Sequence, residues 1–457
     1  WREEREQGAV TNDEAVRKAM EHAGSAVVFS GTTVAISLLA LVAVPVPVLR
    51  SIGIAGLLIA LVSVAVAVTL LPVVLATVGP RLDWPRNRRD ARASRGWSAW
   101  ARLVVRHRWI AAVASTAVLA ALVVAASTIQ LGNPRADSLA QAGPARVGLE
   151  KLKDAGIGAG PLSPFDALVR AGDPEAVAQT LTEVDGVQSA LAPADWRREG
   201  TAIVTVIPSE DGSSPAGRAT LDRIRATALP GDVKIGGEAA QGVDFIDAVY
   251  GNFPLLLALI SVLTFLLLAR AFRSLILPLK AVLLNLLSVG AAWGLIVLVF
   301  QKGFGSDAIW GIEATQAINI EIPIVVFAFL FGISMDYQVF IISRMREAYD
   351  RIRSTEAAVV EGIGRTGRLV TSAALILGLA FVAFSAQPGT EAKIFATALG
   401  GGILIDATLI RGVLAPAVVA LLGRWNWWLP DWAARLLRVE PSRVQPDAPQ
   451  TPPAPAA

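Results

Sequence analysis

Cysteine is absent from all 457 residues, which excludes disulfides, thiolate metal sites and cysteine nucleophiles. Histidine is nearly absent: His22 and His107 are the only two. Both stand among charged residues beside apolar segments, so no histidine metal centre is expected. Charge is scarce as well. Charged residues make up 17% of the chain and hydrophobic ones 54%, whereas soluble domains carry roughly 25% charge. The deficit argues against an ordinary soluble protein, although the length alone would permit two or three domains. The net charge of +3 says little, because long apolar runs alternate with short arginine clusters. That is a membrane pattern and not a nucleic-acid footprint. The chain starts at Trp1 with no initiator Met and no signal peptide, and that start reads as a truncation.

A bilayer core of about 30 Å takes about 20 apolar residues in a helix. Eight stretches qualify or nearly do: 26–44, 49–78, 109–127, 253–271, 274–300, 322–343, 369–386 and 393–422. Any one alone would pass for a buried core helix; eight in one chain read as a polytopic α-helical membrane protein.

Orientation follows from arginine and lysine in the short loops. Loop 79–108 carries Arg81, Arg86, Arg88, Arg89, Arg92, Arg95, Arg102, Arg106 and Arg108. Loop 344–368 carries Arg344, Arg346, Arg351, Arg353, Arg365 and Arg368, and the turn between the fourth and fifth spans holds Arg270 and Arg273. The alternate loops are poor: 301–321 has only Lys302, and 45–48 and 387–392 have none. With eight alternating spans, all rich loops share one side. Both termini are then cytoplasmic and the chain is a multi-pass protein of the plasma membrane. Trp425, Trp427, Trp428 and Trp432 suit an aromatic belt at the inner end of the last span.

The expected organisation follows. Residues 1–25 form a cytoplasmic amphipathic segment, 26–78 two spans, 79–108 an Arg-rich cytoplasmic linker and 109–127 a span. An extracytoplasmic α/β domain occupies 128–252. Then come three spans over 253–343, a basic cytoplasmic linker over 344–368, two spans over 369–422, and a Pro/Ala-rich cytoplasmic tail over 423–457, disordered from Pro441.

The chain also matches itself at a spacing of 343–344 residues. Gly24 aligns with Gly367 and Pro45 with Pro388. After a one-residue shift Gly56 aligns with Gly400, Pro72 with Pro416, Gly79 with Gly423, Trp84 with Trp428, and Arg2-Glu3 with Arg346-Glu347. Chance similarity among Ala-rich helices is the rival explanation, but glycines, prolines and tryptophans recurring in order weigh against it. Both copies run in the same direction, so the repeat is parallel, a known transporter pattern. The counterpart of 109–343 would lie before Trp1, giving roughly 690 residues in the intact protein.

Within 128–252 strand and helix signals alternate. Residues 166–170 read as a strand, and Asp173-Pro174 opens a helix. Residues 186–190, 201–207 and 233–235 read as strands, and 214–228 as a second helix. The order βαββαβ points to a ferredoxin-like split sandwich. Asp185, Asp195, Glu199 and Asp211 read as turn and surface residues.

Few polar residues interrupt the apolar runs. Asp336 lies about 21 Å from the outer end of its helix and about 10 Å from the inner end, at 1.5 Å per residue. An acid at that depth is costly and usually functional, which points to proton binding; the rival role is a helix–helix hydrogen bond. Tyr337 is adjacent, but sequence neighbours on a helix do not face each other, so each needs a partner on another helix. Asp406 and Arg411, five residues apart, point about 140° away from each other on an α-helix, which argues against an intrahelical pair. Structural pairing and a functional role both stay open for them. Their repeat counterparts are Val62 and Ala67. Lys280 is expected to snorkel; Asn285, Asn319 and Glu321 are weaker candidates, with Glu321 at the outer rim.

These motifs carry a family resemblance. GISMDYQVFIISRMREAYDR resembles the tenth-helix signature of the MMPL (mycobacterial membrane protein large) family, within the resistance–nodulation–division transporters. Residues 404–417, LIDATLIRGVLAPA, resemble its last helix, and residues 278–303 its ninth. The resemblance covers the chain to about residue 430. It implies twelve spans in two parallel halves, an α/β porter domain in each half, and proton-driven export of lipids, lipid conjugates or other hydrophobic compounds. Residue by residue, it makes Asp336 and Tyr337 one half of a proton-relay pair. The other half belongs to a fourth helix that this chain lacks, since its spans correspond to the fifth to twelfth.

The reading is therefore a proton-coupled exporter, with no cofactor and no catalytic residue. Its expected partners are membrane lipids or hydrophobic substrates, protons and the missing N-terminal half; homo-oligomers are left open and nucleic acid is excluded. The alternatives are a sterol-sensing or receptor-like membrane protein and a protein-export accessory factor. An intramembrane enzyme is disfavoured, because the sequence has neither a zinc motif nor a GxGD pattern.

Overall fold

Backbone groups in hydrocarbon find no water to bond, so a long apolar run crosses a bilayer as helix. The computed structural model has these runs as helices. It describes residues 1, 4–5, 11–82, 94–133 and 143–442. Arg2-Glu3, Trp84, Arg86, Arg88, Arg89, Arg92 and the tail from 443 lie outside the described residues.

Asn12–Ala19 (α1) passes through a π-wound turn, Met20–Gly24, into Ser25–Ala43 (α2). Pro47–Thr77 (α3) follows; Pro47 stands in its first turn, where a missing N–H costs nothing. Arg95–Arg106 (α4) is separated from Arg108–Ala126 (α5) by His107 alone. After Pro144–Asp154 (α6) comes a mixed segment. It comprises Phe165–Ala171 (β1), Pro174–Thr182 (α7), Val187–Leu191 (β2), Arg197–Arg198 (β3), Thr201–Pro208 (β4), Pro215–Ala226 (α8), Asp232–Gly236 (β5) and Glu238–Tyr250 (α9). The chain returns to apolar helix with Phe253–Phe272 (α10), Ile276–Ile296 (α11), Ile322–Ile352 (α12), Thr355–Ser385 (α13) and Thr390–Ile405 (α14). A π-helix, Asp406–Leu414, leads into Ala415–Leu422 (α15), and Asp431–Leu437 (α16) ends the described helices.

Among the described residues, seven helices are long and apolar enough to cross a membrane: Pro47–Thr77, Arg108–Ala126, Glu238–Phe272, Ile276–Gln301, Ile322–Ile352, Thr355–Ser385 and Thr390–Trp427. The eighth expected stretch, 26–44, contributes only the shorter apolar piece Val27–Ala43. α12 is the most enclosed of the seven, whereas α3 buries none of its most apolar window. Leu58, Ile59, Leu61, Val62, Leu70 and Val73 of α3 stand exposed. A water-soluble protein rarely leaves so large a continuous apolar face uncovered; a lipid-facing helix does so as a rule.

The chain divides into two compact units. The first comprises Trp1–Ser127, Leu255–Leu295 and Ile324–Ala457, and contains most of the apolar helices. Two helix hairpins, α2 with α3 and α13 with α14, pack internally; these are the two copies read from the sequence repeat. Small residues let the backbones close up. A Cβ on Gly294 of α11 would come within 1.9 Å of the Leu122 carbonyl oxygen of α5, so only glycine fits there.

The second unit comprises Thr128–Pro254 and Ile296–Pro323, so it takes in the 302–323 loop beyond the expected 128–252. Its strands form one antiparallel sheet ordered β2-β4-β1-β5, with β3 paired to β4. Strand side chains alternate faces. Phe165, Ala167 and Val169 of β1 and Ala202, Val204 and Val206 of β4 accordingly enter one core with Val177 and Leu181 of α7 and Leu221 and Ile224 of α8. Asp173 caps α7 by accepting from the Glu175 N–H at 3.1 Å. Asp211 sits in a turn, accepting from the Ser163 and Ser213 hydroxyls, each at 2.7 Å. The 302–323 loop joins by a bridge from Leu131 to Ile318 and by the Tyr250 hydroxyl donating to the Ile320 carbonyl at 2.7 Å.

Two expectations near the C-terminus need correction. Residues 423–442 are not simply a tail. Arg270 donates to the Leu437 carbonyl at 2.6 Å, Arg273 pairs with Glu440 at 3.1 Å, and the Leu275 N–H donates to the Trp428 carbonyl at 3.1 Å. Nor is Trp427 a belt residue. It is 1% exposed, stacks on Tyr349 at 4.2 Å and donates to the Thr355 hydroxyl at 3.1 Å. Trp425 and Trp432 are exposed.

Candidate functional site

α12 carries Ser334, Asp336 and Tyr337 through the interior of the first unit. The segment facing it is the π-helix 406–414, which explains how Asp406 and Arg411 meet. An α-helix would turn residues five apart away from each other. A π-helix bonds i to i+5, and the wider winding lays Arg411 over Asp406. The Arg411 Nε lies 2.6 Å from Asp406 Oδ2, and both side chains are buried. The expectation that they are not an intrahelical pair is thus overturned, because it assumed α winding throughout. Pro416 fits the altered winding, since it has no N–H to return to the Gly412 carbonyl. The equivalent Pro72 lies inside an uninterrupted α-helix.

Arg411 also reaches across to α12. Its Nη2 donates to the Ser334 hydroxyl at 3.0 Å, and its guanidinium carbon lies 5.4 Å from the centre of the Tyr337 ring. Its Nη1 is buried with no hydrogen-bond partner. Asp336 is half-buried and makes no hydrogen bond or ion pair among the described residues, yet it lies within electrostatic reach of Arg411. From α11, Asn285 donates to the Phe331 carbonyl at 2.9 Å. Ser288 stands close to the Asp406 carboxyl, outside good hydrogen-bond geometry. Thus Asp336, Tyr337, Asp406 and Arg411 form one cluster, with Ser288 and Ser334 as members that sequence reasoning missed. Serines in apolar helices give little signal. The usable clue was Pro416, four residues beyond Gly412.

The other polar residues lie elsewhere. Lys280 does not snorkel: it is 7% exposed, with its Nζ 3.5 Å from the Asn426 side-chain oxygen. Asn426 is held by donating to the Val419 and Gly423 carbonyls at 2.8 and 2.7 Å. In the second unit, Asn319 accepts from the Glu321 N–H at 3.0 Å and Glu321 is exposed. That unit also has a cavity of about 160 Å³, lined by Gln130, Asp211, Ser213, Arg218 and Gln316 among others. Burial there pulls the Arg218 guanidinium below its ordinary value, against the opposing charge of Asp247.

The chain matches the MMPL family over residues 1–110 and 166–444. It belongs to that family. The MMPL chain is 34% identical to the mycolic acid-containing lipids exporter MmpL11 of Mycolicibacterium smegmatis, over 96% of this chain and 48% of the relative. It is 35% identical to the heme uptake protein MmpL11 of Mycobacterium tuberculosis, over 93% of this chain and 46% of that protein. The MMPL chain therefore spans about half the length of these curated relatives. Among solved structures, a heavy metal efflux pump superposes with a TM-score of 0.55 at 14% identity, covering 90% of this chain and 60% of the pump. SecDF in its super-membrane-facing form gives 0.51 at 18% identity, covering 92% of this chain and 51% of SecDF. At such identities the likeness is one of fold alone, that of a helical, polytopic membrane protein.

Proposed function

We propose that the MMPL chain is part of a proton-coupled exporter of lipids or other hydrophobic compounds, with Asp336 and Tyr337 as one half of its proton relay. One observation carries the reading. Among the described residues Asp336 has no hydrogen-bond partner, while Arg411, within its electrostatic reach, has a buried Nη1 with none. The cluster holds two acids and one base. With Asp336 ionised and the Asp406–Arg411 pair charged, its net charge is −1; protonation of Asp336 brings it to zero. A buried site favours the neutral state. Proton loss favours a rearrangement that brings the free Nη1 to the Asp336 carboxylate. One site thus has two arrangements, and the proton selects between them. One elementary charge crossing 100 mV supplies about 2.3 kcal/mol, enough to bias such an equilibrium.

The rest of the reading follows the sequence. The chain has eight spans, α2 being the eighth, with both termini cytoplasmic in the plasma membrane. The α/β domain at 128–252 is an extracytoplasmic porter domain. The relatives' names support a hydrophobic cargo, whether a mycolic acid-containing lipid or heme. The site has no bond-making task in this scheme.

The test is Asp336→Asn in the intact protein, reconstituted with an imposed proton gradient. Asn is nearly isosteric and does not titrate. Export is expected to stop while insertion and abundance persist, and Tyr337→Phe is expected to slow export less. Gradient-dependent export by Asp336→Asn at the wild-type rate would leave Asp336 as a structural contact and sink the assignment.

A further inference from the structure

α4 is joined to the membrane span α5 by one residue. Successive side chains on a helix step by about 100°, and those of α4 sort into three strips. Trp97, Ala101, Val104 and Val105 face the protein. Ala101 is fully buried, and the Trp97 ring lies so close to α13 that a Cβ on Gly367 would come within 2.5 Å of it. The Ser94 N–H just before α4 donates to the Gly364 carbonyl of α13 at 2.9 Å. On the opposite strip stand Arg95, Arg102 and Arg106. All are exposed, and none has an ion-pair partner among the described residues. Between the two strips, on one flank, Trp100 and Leu103 are 42% and 51% exposed. Trp109 and Ile110, where α5 begins, are both 69% exposed.

An isolated cationic strip would serve equally well in water. What decides its setting is the exposed apolar flank beside it, level with the start of a bilayer span. Such a helix lies in the membrane interface, with its apolar flank among the upper acyl chains and its cations at phosphate level. We propose that α4 is a docking surface for anionic lipids, whose headgroup phosphates are bound by Arg95, Arg102 and Arg106 while Trp100 and Leu103 sit among the acyl chains. The three arginines spread along about 16 Å of helix axis, so the surface spans more than one headgroup. The rigid seat of α4 on α13 pre-forms it.

The surface is also tied to the polar cluster. The Trp100 indole N–H donates to the Gly412 carbonyl at 2.8 Å. That carbonyl lies within the π-helix that holds Asp406 and Arg411, and Pro416 has no N–H to offer it. Lipid seated on α4 therefore braces the π-helix from its outer side. This inference does not depend on the proton-relay reading, and its test measures no transport.

The chain is purified in detergent and exposed to phosphatidylglycerol and phosphatidylcholine, and lipid retention is read by native mass spectrometry. Wild type is expected to retain phosphatidylglycerol preferentially. Each Arg→Gln change should weaken retention roughly fivefold, and R95Q/R102Q/R106Q should abolish the preference. R95K/R102K/R106K should keep it. A polarity-sensitive fluorophore at Leu103→Cys, unique in this cysteine-free chain, should report an apolar setting in phosphatidylglycerol-containing nanodiscs. Should the triple Gln variant misfold, salt titration of the wild type decides instead: retention should fall as salt screens the contacts. Equal retention by wild type and the triple Gln variant, salt-independent retention, or a water-exposed label in nanodiscs would each overturn the proposal. A label shielded only when a second protein is present would make the surface a protein interface and overturn it as well.

Discussion

Arg411 Nε lies 2.6 Å from the carboxyl of Asp406, five residues earlier on the same helical run. The pair exists because the helix is π-wound there, and both partners are buried. A buried pair often contributes little net stability, but removing one partner leaves an uncompensated charge that costs about 3–5 kcal/mol. Asp406→Leu and Arg411→Met should each lower abundance and thermal stability strongly. The double variant should recover much of the loss. Purified proteins compared by thermal unfolding would show it; a double variant as unstable as the sum of the singles would mean that the pair is not the coupled unit described.

Much of this was legible in the sequence. The helices follow from apolar run length, and the sheet from β-branched alternation in 201–207 and from turn residues around Asp173-Pro174. The acid Asp336, set in a long apolar run, was legible as an anomaly of composition. What failed were inferences that assumed a regular local geometry. The 140° argument presumed α winding, and the snorkelling of Lys280 presumed a free path to the surface, which Asn426 and the folded 423–442 segment close off. Trp427 looked like a belt residue because its neighbours are tryptophans; its stacking on Tyr349 comes from a helix 78 residues earlier in the sequence (427 − 349), and pairing at that distance leaves no local trace.

The contact between Trp100 and Gly412 gives a second prediction. Trp100→Phe removes the indole N–H but keeps an aromatic ring. The loss of one hydrogen bond should cost about 0.5–1.5 kcal/mol, or more if the carbonyl stays dry and unpaired. Pro416→Ala restores a backbone N–H near that carbonyl. In the Pro416→Ala background the cost of Trp100→Phe should therefore shrink, giving a coupling energy in a double-mutant cycle. An unchanged cost would mean that Trp100 acts by packing alone.

Lys280 is a buried cation whose one hydrogen-bond partner among the described residues is an amide oxygen at 3.5 Å. Lys280→Met removes a desolvated charge and keeps the volume, so stability should hold or rise. Asn426→Leu should do the opposite. It strands the Lys280 amine and two carbonyls, and should cost about 1–3 kcal/mol for each buried group left unpaired. Thermal unfolding of the two purified variants would separate these outcomes, and a Lys280→Met variant as damaged as Asn426→Leu would point to a functional or structural demand for the amine itself.

Orientation is open to the most direct check, because the chain supplies no cysteine of its own. The arginine-rich loops 79–108 and 344–368 are expected inside, and the α/β domain outside. A cysteine at Arg353, exposed just before α13, should resist an impermeant maleimide in intact cells and react after permeabilisation. A cysteine at Glu210, exposed in the loop after β4, should react without permeabilisation. Both loops are short and polar, so neither change touches a core. Labelling at Arg353 in intact cells with none at Glu210 would invert the topology. The external domain would then face the cytoplasm, and the export direction proposed for the MMPL chain would have to be abandoned.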